Sequence, residues 1–252
     1  MKPGARNPGA RIVALEMSTA HGSVALMDEG VVHERDFDPR GEGAVGALAR
    51  IFAEFGVQPR DLTAFAVSVG PGSFTGIRVG VSAAQAFCHA TGAVAVPVGT
   101  LEGLAECGRE SDWGMSGTLL LPSVDARRGE VYAALYRAGG AGTAPELLWG
   151  PEAVSCAALA ERLAGMPAPS AGPEGAGGEG LLLGDGAPLL ASLFPDGWAS
   201  PAALARTRAA AVARVAARKL AAGGSVAPVD LVPVYVRKPD AESRDERRTP
   251  AP

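Results

Sequence analysis

From Arg11 to Phe37 short apolar runs alternate with turn residues. Ile12–Leu15, Ser23–Met27 and Val31–Arg35 read as strands, separated by His21-Gly22 and by Asp28-Glu29-Gly30. Two tight connections of this kind predict three consecutive antiparallel strands. From Glu42 to Gly56 the period lengthens. Val45, Leu48, Ala49, Phe52 and Phe55 recur at three- and four-residue steps, one apolar stripe of a helix that Gly56 should stop. Ala64–Val69 is then a continuous apolar strand, Thr75–Ala90 a helix and Ala93–Val98 a further strand. The order β-β-β-α-β-α-β, with strands and helices alternating late in the series, predicts an α/β fold with parallel pairing across helical crossovers.

The pattern continues less regularly. Thr100 is an N-cap candidate for a helix from Leu101 to about Cys107. Leu119–Val124 and Glu130–Arg137 form a hairpin around Asp125-Ala126-Arg127-Arg128-Gly129. Ala138–Thr143 and Gly165–Gly180 are loops rich in Gly, Ala and Pro, and Leu181–Leu183 is a short buried-type strand before Gly184-Asp185-Gly186. Ala202–Ala222 reads as an Ala-rich helix with Arg206, Arg214 and Arg218 along one side. Val229–Val236 is apolar but interrupted by Pro233. No repeat of fixed short period is visible. The expected division is a disordered leader over 1–10, a first lobe over 11–99, a second over 100–239 with a Gly/Pro-rich loop near 165–180, and a polar tail over 240–252.

Composition narrows the class. Apolar residues make up 47 % of the 252 and charged residues 20 %, a globular balance, while aromatics are only 5 %. The core must therefore rest on Leu, Val and Ala. The formal charge is −4, too small to argue for nucleic acid or membrane by itself. Its distribution is uneven: ten Lys/Arg and five Asp/Glu lie from Pro201 onward, so that part is about +5 and the remainder about −9. A solvated helix face with a charged tail accounts for this more simply than a nucleic-acid contact. Cys88, Cys107 and Cys156 form no CxxC pair, which points to a reduced, intracellular protein with buried thiols. MKPGARNPGA has no apolar core of a signal peptide, and no run of 18 apolar residues occurs. The expected location is cytoplasmic.

Candidate chemistry gathers at Gly70-Pro71-Gly72-Ser73-Phe74-Thr75-Gly76, which follows a strand and opens a helix. Free N–H groups at such a helix start, with Ser73, Thr75 and Gly76 in the loop, suit a nucleotide phosphate or carboxylate. The spacing is neither a P-loop, since no Lys follows, nor GxGxxG, and a tight structural turn explains it as well. Glu16, just after an apolar strand and followed by Ser18 and Thr19, can organise a phosphate or Mg²⁺, or can be a solvated turn residue. Asp125, Arg127 and Glu130 cluster at the hairpin turn, fixing it or serving as acid and base. Small residues at Gly76, Gly80 and Ala84 leave room for another helix, either the protein's own sheet or a partner. His21, His33 and His89 form no HxxxH or HExxH pair, and no GxSxG occurs.

In order along the chain, IVALEMSTAHGSVAL (12–26), VSVGPGSFTGIRVGVSAAQAF (67–87), PVGTLEGLA (97–105), SVDARRGEVYAALY (123–136) and PVYVRK (233–238) resemble the signature blocks of the TsaB (YeaZ) family. That resemblance implies a two-lobed actin-like, sugar-kinase-like (ribonuclease H-like) α/β fold with mixed sheets. It implies a non-catalytic subunit for tRNA threonylcarbamoyladenosine formation, pairing with the catalytic subunit TsaD and joined by the ATPase TsaE. ATP and metal are then expected in the partner subunits and no cofactor in this chain, with tRNA reached through the complex and a homodimer as the form without TsaD. The pairing surface would be the first-lobe helices, through Val45, Leu48, Phe52, Phe55, Gly76, Gly80 and Ala84. Glu16 stands where the family often has Asp, Arg40-Gly41-Glu42 where many members have His, and the loop Met166–Gly180 looks longer than usual. The competing classes are a glycoprotease-like metallopeptidase, which needs three protein ligands and a base, and an ATP-dependent small-molecule kinase, suggested by fold analogy alone.

Overall fold

The computed structural model describes residues 10–164, 180–194 and 197–237. The expected leader, Gly/Pro-rich loop and polar tail lie outside the described residues, apart from Ala10 and Gly180. β1 (Ile12–Glu16), β2 (Gly22–Asp28) and β3 (Val31–Phe37) form the antiparallel meander that the three short runs predict. α1 (Gly43–Phe55) leads to β4 (Ala64–Gly70), and α2 (Phe74–Thr91) to β5 (Val94–Gly99). β4 is parallel to both β1 and β5, and the sheet order is β3-β2-β1-β4-β5. α1 stops where Gly56 turns left-handed and gives its N–H to Phe52 O.

The second half repeats this path. α3 (Thr100–Glu110) precedes antiparallel β6 (Leu119–Arg127), β7 (Glu130–Arg137) and β8 (Glu146–Ser155). α4 (Cys156–Ala164), β9 (Gly180–Leu183), α5 (Ala187–Leu190), β10 (Trp198–Ala199) and α6 (Ala209–Ala221) follow. This sheet runs β8-β7-β6-β9-β10, the first sheet's order strand for strand, with β9 parallel to β6 and β10. The repeat is one of topology rather than of residues, which is why no period shows in the sequence. Two lobes of this kind make a two-lobed α/β arrangement with mixed sheets.

Each sheet is covered on both faces. α1 and α2 close one face of the first sheet around Leu15, Ile51, Phe52, Phe65 and Ile77. The other face takes α6, from far down the chain, through Ala209, Val212, Ala213 and Ala216. α3 follows β5, yet its Leu101, Leu104 and Ala105 pack with Leu120, Leu181 and Leu183 of the second sheet. α4 and α5 cover that sheet's far face around Leu121, Leu159 and Leu190. α3 and α6 lie side by side as a shared middle layer, and the alanines of α6 let the two sheets approach it closely.

Two departures from the sequence pattern have physical causes. The helix predicted over Ala202–Ala222 breaks into a short 3₁₀ turn at Ala202–Leu204 and then α6, after an extended Arg208. At its start the N–H groups of Ala209 and Ala210 are accepted by Ser23 Oγ (2.9 Å) and Glu34 Oε1 (3.2 Å), on β2 and β3. Such a cap from distant strands leaves no local signal. Residues 144–164 carry β8 and α4, which the sequence pattern does not announce. β8 is an edge strand with irregular register and Gly150-Pro151 inside it, and proline is tolerated there because the outer edge needs no ladder partner.

Among the described residues the basic charge near and along α6 holds the layers together. Arg206 pairs with Asp36 (2.7 Å), Arg208 with Glu34 (2.7 Å), Arg214 with Glu110 (2.9 Å), Arg218 with Glu106 (2.8 Å) and Lys219 with Glu102 (2.7 Å). Glu106 is fully buried and is gripped by two guanidiniums, Arg109 on its own helix and Arg218 on α6. Burial would raise its pKa, but the hydrogen bonds from Arg109 and Arg218 outweigh that and hold it below the ordinary carboxylate value. Removing one member of such a cluster leaves buried charge uncompensated, so Glu106→Gln should cost about 3–5 kcal/mol in urea unfolding. Because the folded pKa is depressed, the parent's contribution is present above the ordinary carboxylate range and fades as pH falls through the lowered value. The variant should lose that acid-side slope.

Candidate functional site

β4 runs into Gly70-Pro71-Gly72-Ser73, and α2 begins at Phe74. Ser73 is its N-cap: Oγ accepts the Gly76 N–H at 3.2 Å and the Ser73 carbonyl takes the Ile77 N–H at 2.9 Å. The Ser73 N–H itself is donated to Ser18 O at 2.7 Å. A Cβ built on Gly72 would stand 2.2 Å from Ser18 O, and one on Gly76 only 2.0 Å from Met17 O. Glycine at these two positions thus lets the turn after β1 lie directly on the loop. In an anion cradle the N–H groups aim at a ligand. Here two carbonyl oxygens, which repel a phosphate, stand over Gly72 and Gly76. Of the three candidate ligand residues, Ser73 caps the helix, Gly76 is packed under Met17, and Thr75 is exposed in the first turn. The second lobe has a matching contact, with the Gly186 N–H donated to Ser123 O at 3.1 Å.

Glu16, at the end of β1, is fully buried. Its Oε1 accepts the Ser18 N–H at 2.6 Å and the Ser18 hydroxyl, and its Oε2 accepts the Ser68 hydroxyl from β4. Burial raises its pKa, against the lowering effect of the Ser18 and Ser68 hydrogen bonds. A carboxyl so enclosed ties β1, its following turn and β4 together, and it is no solvated turn residue. Of the two serines that complete this clamp, Ser18 stands out in the sequence beside Glu16, whereas Ser68 lies within the apolar run of β4 and carries no signal of its own.

The hairpin cluster is divided among several contacts. Asp125 Oδ1 accepts the Arg127 N–H at 2.7 Å and its Oδ2 pairs with the Arg127 guanidinium at 3.0 Å, while the Asp125 N–H reaches Asp185 Oδ1 at 3.1 Å. Glu130 pairs with Arg237. These contacts fix the turn between β6 and β7. Among the described residues no three His, Cys, Asp or Glu gather into a group that could hold a metal ion. His33 stacks on Phe55 with ring centroids 4.1 Å apart, and His89 sits in the last turn of α2. Burial pushes the Cys88 thiol up to about 11 and the Cys107 thiol up to about 12, the inert state expected of them. Two cavities of ≈ 460 and ≈ 580 Å³ open beside α6, the first lined by Glu102, Tyr136, Val215 and Lys219, the second by Arg109, Glu110 and Arg214. Neither is lined by the glycine loop.

The helix residues expected at a partner surface separate by face. Leu48, Phe52, Gly80 and Ala84 are buried in the first lobe's own core, with Gly80 against Val67, and Phe55 is half-buried under His33. Val45 is 76 % exposed. On α2 the row Gly76, Gly80, Ala84 faces inward, and the solvent stripe is Thr75, Arg78, Val79, Ser82 and Ala86. This helix is small and apolar all round, so its periodicity does not choose the inward face. Among the described residues no helix is long and apolar enough to cross a membrane.

The Glu16 clamp gives a direct prediction. Its raised pKa means that its contribution to stability is present below the ordinary carboxylate range and is lost as pH rises through the folded value. Glu16→Gln keeps the shape and accepts the Ser18 N–H, so unfolding stability measured from pH 5 to 9 should lose that decline. Glu16→Ala leaves three buried donors without a partner and should cost about 1–3 kcal/mol for each one left unsatisfied.

Residues 41–242 match the family model described as "TsaD: tRNA N6-adenosine threonylcarbamoyltransferase". The tRNA threonylcarbamoyladenosine biosynthesis protein TsaB of Escherichia coli is 34 % identical over 131 residues, a stretch covering 50 % of this chain and 55 % of that protein. The chain thus spans about half the length of that curated relative. An uncharacterized Mycobacterium tuberculosis protein is 33 % identical over 237 residues, 92 % of this chain and 93 % of that one. The solved structure of YeaZ from Pseudomonas aeruginosa superposes with a TM-score of 0.72 at 24 % identity, over 90 % of this chain and 99 % of that one, a likeness that carries the fold. With a family model matched along most of its length and curated TsaB proteins among its relatives, the chain belongs to the TsaB (YeaZ) family.

Proposed function

We propose that the chain is the non-catalytic subunit of a tRNA threonylcarbamoyladenosine transferase complex, docking on a TsaD-type catalytic subunit that TsaE joins. It works in the cytoplasm without a cofactor of its own, leaving ATP and metal to its partners. The observation that carries this reading is the outward face of α2. Thr75, Val79, Ser82 and Ala86 are exposed there with a single charge, Arg78, and Phe74 stands 47 % exposed at the helix start. A helix face turned to water ordinarily carries several charges, and an apolar exposed face marks a protein contact. Val45 on α1, in the same layer, extends the apolar character.

Two further observations support it. Carbonyl oxygens stand over the glycine loop, and Glu16 is bound by its own serines. Both features favour a scaffold over a kinase. Five cations near and along α6 are paired within the chain, which favours tRNA being reached through the complex. The same α2 face would serve a homodimer when TsaD is absent.

The test uses exposed positions, so that folding is spared. Val79→Asp and Ala86→Asp should leave thermal unfolding of the isolated chain within about 0.5 kcal/mol of the parent. They should weaken co-purification with TsaD about 100-fold or more, because an unpaired charge is buried at the contact. Reconstituted modification of tRNA by TsaD and TsaE should need the parent chain and fail with either variant. Full pairing by both variants would overturn the assigned face, and modification at full rate without any such chain would overturn the function.

A further inference from the structure

As far as it is described, the segment after α6 runs back across the first lobe and reaches the second. Val226 exchanges backbone hydrogen bonds with Ala95 on the outer side of β5 (2.8 and 3.3 Å). Leu231 is buried beside α2, and its carbonyl accepts Gln85 Nε2 at 2.9 Å. The Val234 N–H is donated to Val69 O at 2.7 Å, beside the glycine loop. Tyr235 lies against Phe74, ring centroids 5.6 Å apart, and its hydroxyl accepts Arg78 Nε at 2.8 Å. The Arg78 guanidinium sits 3.8 Å from the centre of the Phe74 ring. Two residues later Arg237 leaves the first lobe, pairing with Glu130 and reaching the Ala126 carbonyl on the β6–β7 hairpin.

We propose that this segment is a latch between the lobes, locked by Tyr235 on α2 and by Arg237 on the second-lobe hairpin. The spacing is the reason. Two residues span at most about 7 Å when fully extended, so the glycine-loop end of α2 and the hairpin cannot separate without breaking one of the two locks. Each lock is of a kind that opens readily. The aromatic one is a ring pair with Arg78 over the Phe74 face and bonded to the Tyr235 hydroxyl, and Arg237 and Glu130 are partly exposed, a pair of modest strength. The hairpin is further held by Asp125 on Arg127 and Asp185, so releasing Arg237 frees the strap without unfolding the turn. Because one short chain carries both locks, loosening either must weaken the other. Phe74 and Arg78 also border the face proposed for docking, but the latch rests on their contacts to Tyr235 within this chain and needs no partner.

Hydrogen–deuterium exchange on the full chain tests this through reciprocity. Arg237→Ala should speed exchange about five-fold or more in residues 231–236, including the Val234 N–H on β4. Tyr235→Ala should do the same to residues 126–131 of the hairpin, on the far side of the strap. Glu130→Gln repeats the first arm with the strap sequence intact, should Arg237→Ala fold poorly. If the Arg237 and Glu130 variants alter exchange only in the hairpin, and Tyr235→Ala only in the strap and α2, the latch is overturned.

Discussion

The carbonyl oxygens of Met17 and Ser18 lie closer to Gly76 and Gly72 than any side chain at those positions would allow, with a Cβ at 2.0 or 2.2 Å. Much of the first lobe follows from that approach. It brings Ser18 O to the Ser73 N–H and leaves Ser73 as the cap of α2. With its start pinned in this way, α2 turns Gly80 and Ala84 to the sheet and leaves Val79, Ser82 and Ala86 outside. Glu16 secures the approach from below by binding Ser18 and Ser68 at once. A loop whose geometry suits an anion is filled by the chain's own backbone, and what it presents outward is a helix face with almost no charge.

The second constraint is the exchange of helices at the centre. α3 follows the first sheet and packs on the second, while α6 follows the second and packs on the first. Neither lobe can complete its core without the other. Buried Glu106, held by Arg109 and Arg218, sits at the contact between the two helices. Desolvating a carboxylate is costly unless its lone pairs are filled, and two guanidiniums fill them. The positive charge that stands out in the last fifth of the sequence is therefore a packing device as far as the described residues go.

Much of this was legible beforehand. Short apolar runs separated by turn residues in 12–37 announced the meander, Gly56 announced the end of α1, and the apolar run at Ala64–Val69 announced a buried central strand. What stayed hidden depends on distant partners. α6 starts where it does because Ser23 and Glu34, on other strands, accept its first N–H groups. β8 went unseen because an edge strand holding Gly150-Pro151 needs neither alternation nor a full ladder. At the candidate site the glycines were visible but their occupant was not, since nothing in Gly70–Gly76 says that Ser18 O lies above it. Phe52 and Leu48 show the converse limit: an apolar stripe says that a face is buried, not against what.

On the proposed reading the glycine loop, closed by the turn after β1, positions α2 and holds no nucleotide. Titrating Mg²⁺–ATP into the isotope-labelled chain, and following the backbone amide resonances of Ser73, Phe74, Thr75 and Gly76, tests this most directly. At millimolar nucleotide these amides should show no saturable shift. A saturable shift centred on them, accompanied by change at Ser18, would show that the turn yields to a phosphate and would contradict that reading.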